Sequence, residues 1–314
     1  MKFFDSIAIQ EIATRAEWIE AMELAMLKSI TGEIVLPKRM HLDHGDDTFL
    51  IMPCITDEYW CTKLVSFNPA NKQFGHPSIY GTVVLNDTKT GEPLAIMDGR
   101  TITAMRTAAI TAVGIKNLSP KGSHSLGIIG TGVQGISQAL FACSVREITE
   151  IWAFDQNKDN LEQFSTALNK KRPKIKLIHA ADSTEVALNS EVIISATNSQ
   201  HPVFPDKKEL FTGKTFVGIG SYKPDCMEFP EQLFRQLDQI FVDTLDGKKE
   251  SGDLITPVLN NWISEDKIHH LGRLISGDVI PATNTTQLFK TVGSAVFDLF
   301  AAKLVYEKNL KLPH

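Results

Sequence analysis

The chain has 314 residues, 43% of them apolar and 22% charged, enough for two globular domains with a large core. A net charge of −5 gives no reason to expect nucleic acid or an anionic membrane as partner. Cys54, Cys61, Cys143 and Cys226 form no CxxC pair and no zinc spacing, the first residues lack an apolar signal segment, and no apolar run is long enough for a membrane span. The expectation is a soluble, cytoplasmic protein with reduced thiols and no metal.

Ala8 to Ile30 carries apolar residues at helical spacing (Ile12, Ile19, Met22, Ala25, Met26, Ile30), with Thr14 and Glu17 placed for a capping box and Gly32 for a stop. From residue 34 to 98 short β-prone runs follow. Phe49–Met52, Thr62–Phe67, Gly81–Leu85 and Pro93–Met97 predict an antiparallel sheet, and Asn86–Gly91 predicts a hairpin turn. Thr101 to Ile115 predicts a helix dense in Ala and Thr with one charge, Arg106. After a Pro/Gly loop at 117–122 the pattern alternates. Strands are expected at 126–129, 150–155, 175–179, 191–196, 215–219 and 239–243, with helices at 133–145, 158–170 and 184–189 between them. Such βαβ alternation predicts a Rossmann-type, doubly wound parallel sheet joined to an α+β domain. The expected division is a first domain of residues 1–118, a nucleotide domain of 119–291, and a last amphipathic helix at about 292–314 that returns to the first domain.

Gly130-Thr-Gly132-Val-Gln-Gly135 follows the first strand of the second half and opens a helix. The first glycine permits the tight turn, the second lets backbone approach a pyrophosphate, and the third lets helix and strand pack closely. Asp155 ends the next strand, 25 positions after Gly130, where a carboxylate can accept hydrogen bonds from ribose hydroxyls and repel a 2′-phosphate. A structural turn with a solvated Asp is the plain alternative. The context predicts a dinucleotide, with NADH preferred over NADPH; Gln156, Asn157 and Lys158 lie beside Asp155, and Lys158 can serve a 2′-phosphate.

Three cations stand at positions that plain structure does not call for: Arg39 in Leu36–Leu42, read as strand; Lys63 inside an apolar strand; and Arg106. A buried cation needs an anion, either an internal Asp or Glu or an anionic substrate. Gly218–Pro224 breaks immediately after a strand, where such a sheet presents ligand loops.

The combination of Arg39-x-His41, Thr62-Lys-Leu-Val65, Gly91-Glu-Pro-x-Ala95, Met97-Asp-Gly99, Thr101-Ile-Thr-Ala-x-Arg-Thr-Ala-Ala109, Gly130-Thr-Gly-Val-Gln134 and Ser221-Tyr-Lys-Pro-Asp225 resembles the ornithine cyclodeaminase/μ-crystallin family. Glu250-Ser-Gly-Asp253, Phe289-Lys-Thr-Val-Gly293, Asp298 and Ala301-Ala-Lys303 extend the resemblance to nearly the whole chain. It implies a homodimer whose substrate domain forms the interface. It implies substrate binding by Arg39, Lys63, Thr82, Arg106 and Ser221, with Lys63 catalytic. It implies cofactor contacts from Arg106, Gly130, Thr131, Gly132, Val133, Gln134, Asp155, Gln156, Asn157, Thr197, Ile219, Lys290 and Thr291. Cyclodeaminases carry an Asp where this chain has Tyr222, and a phenol of ordinary pKa near 10 is a poor base at neutral pH. The resemblance therefore points to the reductases of Δ1-pyrroline-2-carboxylate, with Δ1-piperideine-2-carboxylate as a second substrate. A cyclodeaminase or amino-acid dehydrogenase, and a nucleotide-binding protein without turnover, are the alternatives.

Overall fold

A computed structural model describes residues 1–283 and 285–312, so the last two positions of the expected 292–314 helix lie outside the described residues. The chain forms two compact units, Met1–Thr107 with Ser294–His314, and Ala108–Gly293. The division falls within a helix and not in the loop after residue 118.

In the first unit, β1 (Lys2–Phe4) is followed by α1 (Ser6–Glu11) and α2 (Arg15–Ser29). The helical spacing over 8–30 belongs to two helices, and Thr14, in extended backbone, starts α2 as its N-cap, as expected. The Thr14 hydroxyl accepts from the Glu17 amide, and Glu17 accepts from the Thr14 amide at 2.8 Å, which completes the capping box. Thr14→Ala is expected to cost about 1 kcal/mol, read as a lower urea midpoint at unchanged slope.

Strands β2 (Met40–His44), β3 (Asp47–Ile55), β4 (Tyr59–Phe67), β5 (Ile79–Asp87) and β6 (Pro93–Asp98) form the expected antiparallel meander. β1, too short to be read from sequence, adds to β6 in parallel and gives the order β1-β6-β5-β4-β3-β2. Arg39 precedes β2 and is not within a strand. Helix α3 (Gly99–Leu118) starts at Asp98, whose carboxylate accepts from the Thr101 amide at 2.7 Å.

The second unit alternates β7 (Ser125–Ile129), α4 (Gly135–Val145), β8 (Glu150–Phe154), α5 (Lys158–Lys171), β9 (Lys176–His179), α6 (Ser183–Asn189), β10 (Val192–Ser195) and β11 (Thr215–Gly218). Then come α7 (Glu231–Phe234), β12 (Leu237–Val242), α8 (Gly247–Glu250), α9 (Gly252–Leu259), β13 (Ile268–His270), α10 (Leu271–Ile275) and β14 (Thr286–Lys290). The eight strands are all parallel, in the order β13-β12-β14-β11-β10-β7-β8-β9. The expected doubly wound fold is present; β13 and β14 lengthen it beyond the strands read from the pattern. Ile193, Phe216, Phe229, Ile240 and Leu288 centre an apolar core on the sheet.

Helix α11 (Ala295–Leu310) belongs to the first unit and packs on α2, β3, β4 and β5. Its end is tied down by Lys308 to Glu17 and by Tyr59, whose hydroxyl donates to Glu307 at 3.2 Å. Among the described residues no helix is long and apolar enough to cross a membrane.

Candidate active site

Strand alternation decides which side chains of the first unit share a face. Cross-strand partners Met52, Lys63, Val83 and Met97 form one row, and this row points into the core beneath α11. Lys63 is thus 3% exposed, in the middle of an apolar layer. Its partner comes from α11: Lys63 Nζ lies 2.7 Å from Asp298 Oδ2. The other oxygen of Asp298 accepts from Arg106 Nε at 3.2 Å. Thr103, one turn before Arg106 on α3, places its hydroxyl 3.5 Å from Lys63 Nζ.

This cluster holds two cations and one carboxylate, all within the core. Burial lowers the Lys63 pKa most, Asp298 opposes that, and the charges of Arg106 and Arg39 lower it further, to about 8. Arg39, half-buried just before β2, is therefore close enough for its charge to be felt at Lys63. A lysine near pKa 8 keeps its proton at neutral pH and gives it up readily, as a general acid must. The uncompensated positive charge calls for an anion, and a substrate carboxylate meets that need. Asp298 carries a signal like that of Arg106, a single charge in the apolar first half of its helix (Ala-Val-Phe-Asp-Leu-Phe-Ala-Ala), which the spacing alone does not tie to Lys63.

Thr82 is not brought to this cluster. It sits in the row Met40, Ile51, Leu64, Thr82, Asp98, which faces away from Lys63. Cys54 and Cys61 oppose each other across β3 and β4 as free thiols. Burial, then the Asp298 charge, raises the Cys54 pKa to about 12 and pushes Cys61 well up, so both stay protonated.

In the second unit the expected cofactor residues collect at the carboxyl ends of the parallel strands. Gly130, Thr131, Gly132, Val133 and Gln134 link β7 to α4; Asp155, Gln156 and Asn157 follow β8; Thr197 follows β10, Ile219 follows β11, and Lys290 and Thr291 end β14. β7 and β10 are neighbours from which the chain winds outward in both directions, the switch point where such sheets bind ligands.

The loop fits a dinucleotide. Gly130 has φ of +86°, and a Cβ there would meet the Ala196 carbonyl oxygen at 2.6 Å. Above Gly132 the nearest atom a Cβ would meet is Asn160 Nδ2 at 3.8 Å, which leaves backbone open to a ligand. Val133 is 81% exposed, and Gln134 makes no side-chain cap to α4; the Gly135 amide donates to the Gly132 carbonyl at 3.0 Å, and the amides after it keep room for an anion. Asp155 is fixed by this loop: its Oδ2 accepts from the Thr131 amide at 2.7 Å and hydroxyl at 3.0 Å, its Oδ1 from the Asn157 amide at 2.8 Å. Oδ2 takes a third contact from Asn160 Nδ2 at 3.5 Å, which leaves Oδ1 as the oxygen with accepting capacity for a ribose diol.

Four expected contacts are directed inward. Lys290 is fully buried, 3.2 Å from Asp253 and 3.8 Å from Glu228. The Thr291 hydroxyl donates to Asp243 at 2.6 Å. Ser221 donates to the Cys226 carbonyl and lies 2.9 Å from the Ser251 hydroxyl. Arg106 pairs with Asp298. Tyr222 is 51% exposed, with Lys223 over its ring, and Asp225 is exposed beside it.

A Delta(1)-pyrroline-2-carboxylate reductase of Bacillus cereus is 32% identical, over 96% of this chain and 94% of its own. The ketimine reductase mu-crystallin of Mus musculus is 32% identical over 82% and 79%. Among solved structures, Thermococcus litoralis Delta(1)-pyrroline-2-carboxylate reductase in complex with NADH and L-proline superposes with a TM-score of 0.92 at 33% identity, covering 99% and 98% of the two chains. The family's sequence model matches residues 3–312, and the chain belongs to the ornithine cyclodeaminase/mu-crystallin family.

Proposed function

We propose that the protein reduces the C=N bond of a cyclic α-imino acid, Δ1-pyrroline-2-carboxylate, to L-proline, and takes Δ1-piperideine-2-carboxylate to L-pipecolate. The carrying observation is the buried Lys63–Asp298–Arg106 cluster with its one unmatched positive charge. When bound, the reduced nicotinamide supplies the hydride. Arg106 and Arg39 hold the substrate carboxylate, and Lys63 keeps the imine nitrogen protonated so that its carbon is electrophilic. Asp298 orients the Lys63 ammonium and restrains its pKa from falling further. Fixed charges in a dry site do most of this work, because they need no reorganisation as the reaction proceeds.

The relatives that carry the same activity in their names support this reading, as does Tyr222 at the place where cyclodeaminases carry an Asp. An initial-rate panel of both cyclic imines, ornithine and alanine, each with NADH or NADPH for reduction and NAD or NADP for oxidation, tests it. Reduction of the imines is expected; ornithine converted to proline and ammonia while both imines stay unreduced overturns the reading.

NADH is the preferred cofactor, on the strength of the Asp155 carboxylate at the end of β8. Asp155→Ser is expected to raise the ratio of NADPH to NADH kcat/KM about tenfold or more, a shift of some 1.4 kcal/mol. A homodimer in the cytoplasm completes the reading. Phe3 (72% exposed), Met40, Leu42, Leu64 and Tyr80 give the sheet face away from Lys63 an apolar surface suited to burial against a second copy.

A further inference from the structure

Glu228 lies fully buried under the ends of β10 and β11. Its Oε1 accepts from the Ser195 hydroxyl at 2.6 Å and from the Thr197 amide and hydroxyl at 2.8 and 2.9 Å. Its Oε2 accepts from the Gly220 amide at 2.8 Å and the Ser221 amide at 3.3 Å. From the other side Asp253 Oδ1 accepts from the amides of Glu228 and Phe229 at 2.8 and 3.2 Å, and Lys290 stands 3.2 Å from Asp253 Oδ2.

A buried carboxylate costs several kcal/mol in desolvation, and apolar filling of the same volume often serves stability as well. What the carboxylate does that apolar filling cannot is join two loops. Only Ser195 among its donors lies in a strand; Thr197, Gly220 and Ser221 all belong to the loops that follow β10 and β11. Those loops touch: a Cβ on Gly220 would sit 1.6 Å from the Thr197 carbonyl oxygen, so their spacing leaves no room for a side chain. The glycine turn and Asp155 are held by a separate set of bonds around Thr131 and Asn157.

We propose that Glu228 is a positioning residue for the nicotinamide end of the cofactor, clamping Thr197 to Gly220 and Ser221 as one rigid seat. The adenosine end, at the glycine turn and Asp155, does not depend on it. This rests on the reading that residues 108–293 bind a nicotinamide dinucleotide.

Calorimetric binding of NADH and of ADP-ribose, which lacks only the nicotinamide, tests it in wild type, Glu228→Gln and Ser195→Ala. A Gln places an NH₂ against backbone N–H or hydroxyl donors, so one arm of the clamp opens. Glu228→Gln is expected to raise the NADH Kd about tenfold or more while the ADP-ribose Kd stays within about twofold. Ser195→Ala removes one donor from the same carboxylate without touching either loop, and is expected to weaken NADH alone by roughly threefold, in line with one modest hydrogen bond. Equal weakening of both ligands, or of neither, in Glu228→Gln overturns the proposal. Should that variant not fold, Ser195→Ala decides: weakening of NADH alone supports the clamp, and any other pattern overturns it. Wild type that binds neither ligand removes the cofactor reading, and the clamp with it, before any variant is made.

Discussion

Replacing Lys63 by Met is expected to lower kcat/KM for imine reduction by roughly a thousandfold, the middle of the range for removing a positioned general acid together with its charge. Met occupies most of the space of the lysine stem, and Asp298 keeps Arg106 as its partner, so no carboxylate is stranded in the core. The variant should therefore fold and bind NADH as the wild type does, which calorimetry with the dinucleotide checks. The wild type supplies an independent readout. The acid acts in its protonated form, which dominates below the Lys63 pKa of about 8, so reduction should decline as pH rises through that value. In Lys63→Met that decline should vanish along with most of the rate. A variant retaining a tenth of wild-type activity, with the alkaline limb intact, would show that the proton comes from elsewhere.

The largest effect on stability is expected at Arg146, far from any chemistry. This side chain, 8% exposed, follows α4 and reaches the end of α3. Its Nη2 donates to the carbonyls of Ile115, Lys116 and Ser119 at 2.9, 2.9 and 2.6 Å, its Nη1 to Val145 at 2.7 Å, and its Nε to the Pro120 carbonyl and the Ser119 hydroxyl at 2.9 Å each. A helix leaves its last four carbonyls without intrahelical partners, and here one guanidinium gathers carbonyls of the last turn and of the loop after it. Arg146→Ala removes every one of these donors. The Ile115 and Pro120 carbonyls keep the Ser119 and Ser123 amides at 3.0 and 3.2 Å, while those of Lys116, Ser119 and Val145 lose their donor. With each stranded buried acceptor costing about 1–3 kcal/mol and some regained from water, a net loss of roughly 3–5 kcal/mol follows. Urea denaturation at equilibrium measures it. A loss under about 1 kcal/mol would mean that solvent satisfies those carbonyls as well as the arginine does.

What could be read in advance follows from which interactions are local. The alternation of 126–218 is carried by periodicity within each segment, so β7 to β11 and α4 to α6 match expectation to within a residue or two. β1 and β13 have three residues each and exist only through partners far along the chain, β6 and β12. No periodicity can show in so few positions. The same division holds in the site. The glycine turn and Asp155 are a local motif, and the structure places them together at the ends of β7 and β8. Lys63 and Arg106 stood out as charges against apolar surroundings, yet whether an internal acid or a ligand balanced them could not be decided from spacing. Half of the answer is internal: Asp298, 192 positions after Arg106, balances one charge of the two, and a substrate carboxylate is the partner proposed for the other. Thr82 lies apart from the Lys63 cluster. Its neighbours in sequence look right, but strand alternation turns it to the other face of the sheet.

Asp298 also dates the completion of the site during synthesis. The core face of the meander, with Lys63 in its centre, is covered by α11, and α11 follows every strand of both sheets along the chain. The parallel sheet waits nearly as long, because β14 enters between β11 and β12 and not at an edge. A nascent chain that stops short of residue 298 therefore presents an uncovered apolar layer to chaperones and a lysine with no counter-charge. Closure of the Lys63 cluster thus waits until translation has passed residue 298.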